Sequence, residues 1–253
     1  MFFQNEPNIS RLGTPPLPFF KQIKLFLTGW LGFHLFAIII QIVVGGIASI
    51  STGYPIDTVL KTYPVAILTN MLAYIVLLIS LTLITRYDIT KLLKSFKHWQ
   101  PYVMAVVCVV AIYLFNYMYS IFLYILRGAS ISNNQNEASL QSIESIYPMT
   151  SLIVFGIIGP ICEELTYRVG LFSLFQRKSR LIAYIVTILM FTLIHFNFSL
   201  NADVLINELL NLPYYIFGAL AFTFIYDKFG FASSLTAHIL NNILSLSLIS
   251  IIR

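Results

Sequence analysis

Runs of predominantly apolar residues, each about 18 to 25 long and separated by short polar gaps, constrain this chain more than any other feature. They fall at about 25–47, 63–85, 102–126, 151–175, 181–198, 209–226 and 231–252. Lengths of this kind match the roughly 20 residues that a helix needs to cross the hydrocarbon core of a bilayer. Composition agrees: 58% of the 253 residues are hydrophobic and only 10% are charged, with a mean hydropathy of +0.84. An ordinary soluble domain carries about a quarter charged residues. The expected fold is therefore all-α, a polytopic membrane helical bundle of about seven transmembrane helices (six to eight). Residues 1–253 read as a single integral membrane domain, without an internal repeat or a separate soluble domain.

The net charge of +5 is concentrated in the gaps between apolar runs. That placement fits topology control and contact with anionic lipid head groups of the bilayer, and gives no sign of nucleic-acid binding. Residues 1–24, with Pro15, Pro16 and Pro18, read as a cytoplasmic and interfacial arm, since the following apolar run starts too late for a cleavable signal peptide. The stretch Arg86 to Trp99 has basic residues interleaved with apolar ones and is expected to form a surface helix on the cytoplasmic leaflet. Gly128 to Met149 lacks Lys and Arg and reads as an external loop with a short helix in its second half. Arg177-Lys178-Ser179-Arg180 is expected inside. An Ile-, Leu-, Asn- and Lys-rich chain of this kind suits the plasma membrane of a low-GC bacterium. Cys108 and Cys162 both fall in apolar runs, which argues against a disulfide or a cysteine metal site.

Against this background Glu163, Glu164 and Arg168 stand out, because all three lie inside the fourth apolar run. A charge at the centre of a bilayer costs roughly 3 kcal/mol on insertion scales, so the cluster needs either a structural or a functional reason. Glu164 and Arg168 are four residues apart with the acid first, share a helix face and can offset part of each other's burial cost. Glu163 projects about 100° away and has no partner within the helix. Beside another negative charge in apolar surroundings, it is suited to proton transfer near neutral pH.

Two later runs each carry a histidine, His195 and His238. A lone intramembrane histidine is usually a helix contact, as expected for His34 with Gln41 in the first run. A glutamate and two histidines on successive segments can instead activate a water or hold a metal ion. His238 and Asn242 share a face and present donors of the type that stabilise an oxyanion, while Phe191 lies one turn before His195 and can pack beside the site. Depth is the awkward point. Counted from the inner ends at 1.5 Å per residue, His238 lies roughly 10 Å deep and His195 roughly 20 Å deep. They converge if the fifth helix starts below the membrane surface or the fourth is broken near Arg168-Val169-Gly170.

The pattern Glu-Glu-x-x-x-Arg, then Phe-x-x-x-His, then His-x-x-x-Asn, on successive hydrophobic segments between about 151 and 248, resembles the CPBP family of intramembrane proteases. That family includes CAAX-prenyl endopeptidases and bacterial Abi proteins linked to bacteriocin self-immunity. The resemblance implies that Glu163 is the catalytic glutamate, His195 its partner in activating water, and His238 with Asn242 the oxyanion-stabilising pair. Glu164 and Arg168 become the supporting ion pair. The expected function is an intramembrane endopeptidase acting on a membrane-associated peptide or protein, such as a pheromone or bacteriocin precursor. The alternative is a non-catalytic membrane protein that confers immunity or regulates peptide secretion by binding in the same cavity. Glu163, His195 and His238 would also make a minimal ligand set for zinc, although metal-free activation is preferred and no cofactor is required by the sequence.

Overall fold

The computed structural model describes residues 12–128, 130–199 and 201–251, so the first eleven residues of the expected arm lie outside the described residues. Among the described residues all regular structure is helical. The longer helices are α1 (Phe19–Thr52), α2 (Tyr63–Thr85), α3 (Gln100–Arg127), α4 (Gln135–Glu144), α5 (Pro148–Gln176), α6 (Arg180–Leu193), α7 (Ala202–Phe229) and α8 (Phe231–Ile251). Five of them, α1, α2, α3, α5 and α7, are long and apolar enough to cross a membrane. The all-α polytopic architecture expected from the apolar runs is thus the observed one.

Boundaries differ where local chemistry overrides hydropathy. Helix α1 starts directly after Pro18, earlier than the apolar run, because proline suits the entry to a helix and Phe19, Phe20 and Leu25 extend its apolar face. The expected surface helix at 86–99 is instead one α-helical turn, Ile89–Leu92, followed by a 3-10 turn, Leu93–Lys97. Helix α7 begins seven residues before its apolar run, since the Asn201 side chain accepts the N–H groups of Asp203 and Val204 and caps it.

Helix α5 is the axis of the bundle: 56% of its apolar window is buried, against 6% for α1, whose outer side presents Ile38, Ile42 and Ile47. Its residues 164–172 are π-helical and every one of them is buried. Helix α1 lies close against this segment through small residues. A Cβ on Gly29 would fall 1.8 Å from Thr166 Oγ1, and one on Gly170 would fall 3.0 Å from the Phe26 nitrogen. The central core joins Leu25, Leu77, Leu81, Leu165, Val169 and Phe172.

One end of the bundle is interlocked by polar contacts between distant parts of the chain. Arg177 donates to the Gln22 side chain at 2.9 Å and to the Leu17 carbonyl at 2.7 Å. Asp227 accepts from Arg180 at 2.8 Å, Gln176 at 2.9 Å and Tyr184 at 3.1 Å. The first N–H groups of α8 are capped from outside the helix: Phe231 donates to the Thr14 hydroxyl at 2.7 Å and Ala232 to Ser95 at 3.0 Å. Between α7 and α8, Gly230 has φ +85°, and a Cβ there would meet the Leu12 carbonyl at 2.6 Å. Only glycine suits both conditions. Asp88 is clamped by Lys21 and, at 2.8 Å, by Lys91.

Two outcomes follow from this packing. Gly29→Ala forces α1 away from Thr166 and should lower stability by about 1–3 kcal/mol in detergent thermal unfolding. Adding Thr166→Ala should restore only part of the loss, because the Thr166 Cβ itself would lie 2.6 Å from the new methyl. Hydrogen bonds from Lys21 and Lys91 hold the Asp88 carboxyl below the usual carboxylate range. The clamp therefore contributes stability above the ordinary Asp value of about 3.9 and loses it as pH falls through the lowered value. Thermal midpoints of wild type and Asp88→Asn should differ at pH 7 and converge in strong acid.

Candidate active site

The charged motif lies where α5 is widest. Glu163 ends a short α-helical stretch and Glu164 begins the π-helical one, a local widening that recurs at functional sites. The stretch 168–170 is not broken; it continues as π-helix. Its two acids face different surroundings. The Glu163 side chain is 17% exposed and lines a cavity of about 620 Å³, whereas that of Glu164 is 0% exposed and sits behind the wall.

Glu164 Oε1 is engaged from two sides, by an ion pair and by a hydrogen bond. Arg168 Nη1 lies 3.1 Å away, as the four-residue spacing predicts, and His238 Nδ1 lies 2.9 Å away. Since a carboxylate accepts, Nδ1 carries the hydrogen. The other ring nitrogen, Nε2, lies 3.6 Å from Glu163 Oε2. His238 therefore bridges the buried ion pair and the open carboxylate. Beyond the Glu164 contact the Arg168 guanidinium is compensated by aromatic faces, with Phe191 at 4.4 Å and Phe222 at 5.7 Å from its central carbon.

His195 sits just past the end of α6. Its Nδ1 lies 2.8 Å from the Phe191 carbonyl, which can only accept, so Nε2 is left as the lone-pair nitrogen of the neutral ring. Phe191 packs at 4.9 Å from His195 and 5.8 Å from His238, ring centroid to centroid, and so holds both histidines apart at fixed positions. Among the described residues Glu163 has no ion-pair contact with His195, unlike its 3.6 Å approach to His238. Asn242 lines the cavity too, with one Nδ2 hydrogen directed to the Phe155 carbonyl at 3.0 Å. A primary amide has a second N–H to offer.

The structure thus brings Glu163, His195, His238, Asn242 and Phe191 to one cavity, with Glu164 and Arg168 immediately behind. Several neighbours had no sequence signal. Phe222 stacks on His238 at 4.7 Å and Tyr215 on His195 at 5.0 Å, yet both are ordinary aromatics in aromatic-rich α7. Asn134, which donates to the His195 carbonyl at 3.1 Å, comes from the loop expected to be external. A depth count along separate helices could not anticipate how the histidines meet, because it ignored Phe191, which fills the interval between them.

A zinc site was tested on the donor geometry. Each histidine has Nδ1 committed to an acceptor and Nε2 open, the orientation a metal-ligating histidine takes. Among the described residues, however, no three His, Cys, Asp or Glu side chains converge closely enough to hold a metal ion.

The buried pair makes a stability prediction. Arg168→Met leaves Glu164 buried without its cation and should cost about 3–5 kcal/mol, whereas Glu164→Gln with Arg168→Met removes both charges and should recover much of that loss. Thermal unfolding of the two variants in detergent checks this.

No curated protein and no solved structure matches the chain. Residues 145–244 match the family described as type II CAAX prenyl endopeptidase Rce1-like, and that span contains Glu163, His195, His238 and Asn242. With its five long apolar helices and this family match, the chain reads as an integral membrane protein whose segment 145–244 is similar to the type II CAAX prenyl endopeptidase Rce1-like family.

Proposed function

We propose that the chain hydrolyses a peptide bond in a membrane-associated protein or peptide by means of water activated by Glu163 and His195. The observation that carries this reading is the position of His238, tied through Nδ1 to Glu164 at 2.9 Å and facing Glu163 through Nε2 at 3.6 Å, in a cavity that His195 and Asn242 also line. A histidine serving only to join helices has no need of a partly open carboxylate at its second nitrogen.

In the proposed cycle water sits between Glu163 and His195. Glu163 takes a proton as the water oxygen attacks the carbonyl carbon, and the carbonyl π electrons move to oxygen. The oxyanion receives the second Nδ2 hydrogen of Asn242 and, when His238 is doubly protonated, its Nε2 hydrogen. Glu163 then delivers its proton to the amide nitrogen as the carbon–nitrogen bond breaks. His195 orients the water through its Nε2 lone pair. Preorganised donors of this type contribute roughly 3–4 kcal/mol each to the transition state.

The proposed cycle uses only the chain's own side chains and takes the metal-free route. The family description names a prenyl-protein endopeptidase activity, which would call for a prenylated substrate. A pheromone or bacteriocin precursor in a bacterial membrane fits this chain's composition better. Polar amides along the cavity suit an extended peptide backbone, with Asn70, Asn116, Asn241 and Asn242 among them.

The test compares protein termini and released peptides in cells carrying wild type or Glu163→Gln at matched membrane abundance. Products should fall by at least about 10²-fold, the scale of general acid–base catalysis. Asn242→Ala should lower kcat by about 10²–10³ with little effect on substrate binding. Purified enzyme should keep its activity after dialysis against a strong zinc chelator. Coinciding product profiles, with the cell phenotype intact in Glu163→Gln, would turn the cavity into a binding site of an immunity or regulatory protein.

A further inference from the structure

The cavity contains a second carboxylate that the proposed chemistry does not use. Glu137 stands in the first turn of α4 and lines the same space as Glu163. Its helix is fixed relative to the site. The Asn134 side chain accepts the Glu137 N–H at 2.8 Å and donates to the His195 carbonyl at 3.1 Å, so a single amide joins the two backbones. Buried Glu208 adds a second tie, accepting the N–H of Gln135 at 2.8 Å and of Asn197 at 3.2 Å. Tyr215, whose ring stacks on His195, lines the same space.

Electrically Glu137 stands by itself. Among the described residues no Lys or Arg lines the cavity, and Glu137 takes part in no ion pair. Its hydrogen-bonding neighbour is the neutral Gln141, and burial pushes its carboxyl up from the ordinary value. A first-turn acid is favoured by the helix dipole wherever its side chain points. That explains an acidic residue at this position but not one placed in the wall of a polar cavity without a cation. The missing charge is the kind a ligand can bring, and a desolvated carboxylate pairs with it more strongly than one in water.

We propose that Glu137 is a specificity-determining residue that receives a cationic group of the substrate, either a lysine or arginine side chain or a free peptide amino terminus, within a few residues of the scissile bond. This rests on the endopeptidase reading above. Because Asn134 links α4 to His195, the cation would be held at a fixed distance from the attacked carbonyl, which selects a cleavage position as well as a sequence.

The experiment uses the purified full chain in detergent micelles with a peptide library prepared from a membrane proteome, half of it acetylated at the amino termini. New cleavage sites are read by mass spectrometry for wild type, Glu137→Gln, Glu137→Lys and Glu163→Gln. Wild type should enrich Lys and Arg at one fixed position by about fivefold over the library, the scale of a modest ion pair. Enrichment of free amino termini that vanishes in the acetylated half would identify the terminal amine as the source. Glu137→Gln should still cleave but lose the preference, and Glu137→Lys should shift it towards Asp and Glu at the same position. Identical profiles in the three Glu137 forms, with Glu163→Gln inactive, would overturn the assignment and leave the endopeptidase reading intact. A folded Glu137→Gln protein that cleaves nothing would also overturn it. Cleavage that persists in Glu163→Gln would overturn the endopeptidase reading instead.

Discussion

Glu164 carries a negative charge into a part of the bundle that no solvent reaches, and the arrangement of four helices can be understood as the means of keeping it there. Its ionised form needs a close positive charge and a donor, which Arg168 supplies from the next turn and His238 from α8. Arg168 in turn needs something other than water around its guanidinium, and the rings of Phe191 and Phe222 provide it from α6 and α7. Breaking one member leaves an uncompensated charge in a low dielectric, so the group is held together far more firmly than its single contacts would suggest. The open carboxylate, Glu163, then has a fixed neighbour in His238, because that ring is already oriented from behind.

The two ends of the bundle are built differently. At one end the N-terminal segment, the 86–99 stretch and the helix termini near Arg177 and Asp227 are interlocked by side chains that cap or clamp one another. This satisfies helix-end N–H groups that would otherwise be left without acceptors and gives the site a rigid base. At the other end α4 and its flanking loop close over the cavity on amide and carboxylate contacts, with Asn134, Asn211 and Glu208 as the main ties. Asn133, Asn136, Gln141 and Asn211 place amide donors and acceptors in that part of the wall, beside apolar Ile131 and Leu140.

The Glu164–Arg168 pair and the lack of an in-helix partner for Glu163 were legible in the sequence, since both depend on residues within one turn of the same helix. The grouping of Glu163, His195, His238 and Asn242 was legible as a pattern of polar residues in apolar runs, though not as a geometry. The sequence suggested that His238 would serve an oxyanion beside Asn242, and gave no sign that its other nitrogen would be occupied by Glu164. The Arg86 to Trp99 stretch shows the opposite case: its periodicity suggested one surface helix, but it forms an α-helical turn and a 3-10 turn, and Ser95 in the latter accepts the Ala232 N–H at the start of α8.

By itself the sequence determined the all-α membrane architecture, the approximate course of each apolar helix and the identity of the charged residues, because hydropathy and i,i+4 spacing act over short stretches of chain. Only the tertiary structure decided what those residues face. Phe222, Tyr215 and Glu137 reach the cavity, and Asn134 the His195 carbonyl, from elements remote in sequence, and their types are common enough that position along the chain carries no signal. A burial cost is paid locally and can be read locally, whereas its compensation comes from whichever helix packs alongside, and that is set by shape, as where Gly29 of α1 meets Thr166 of α5.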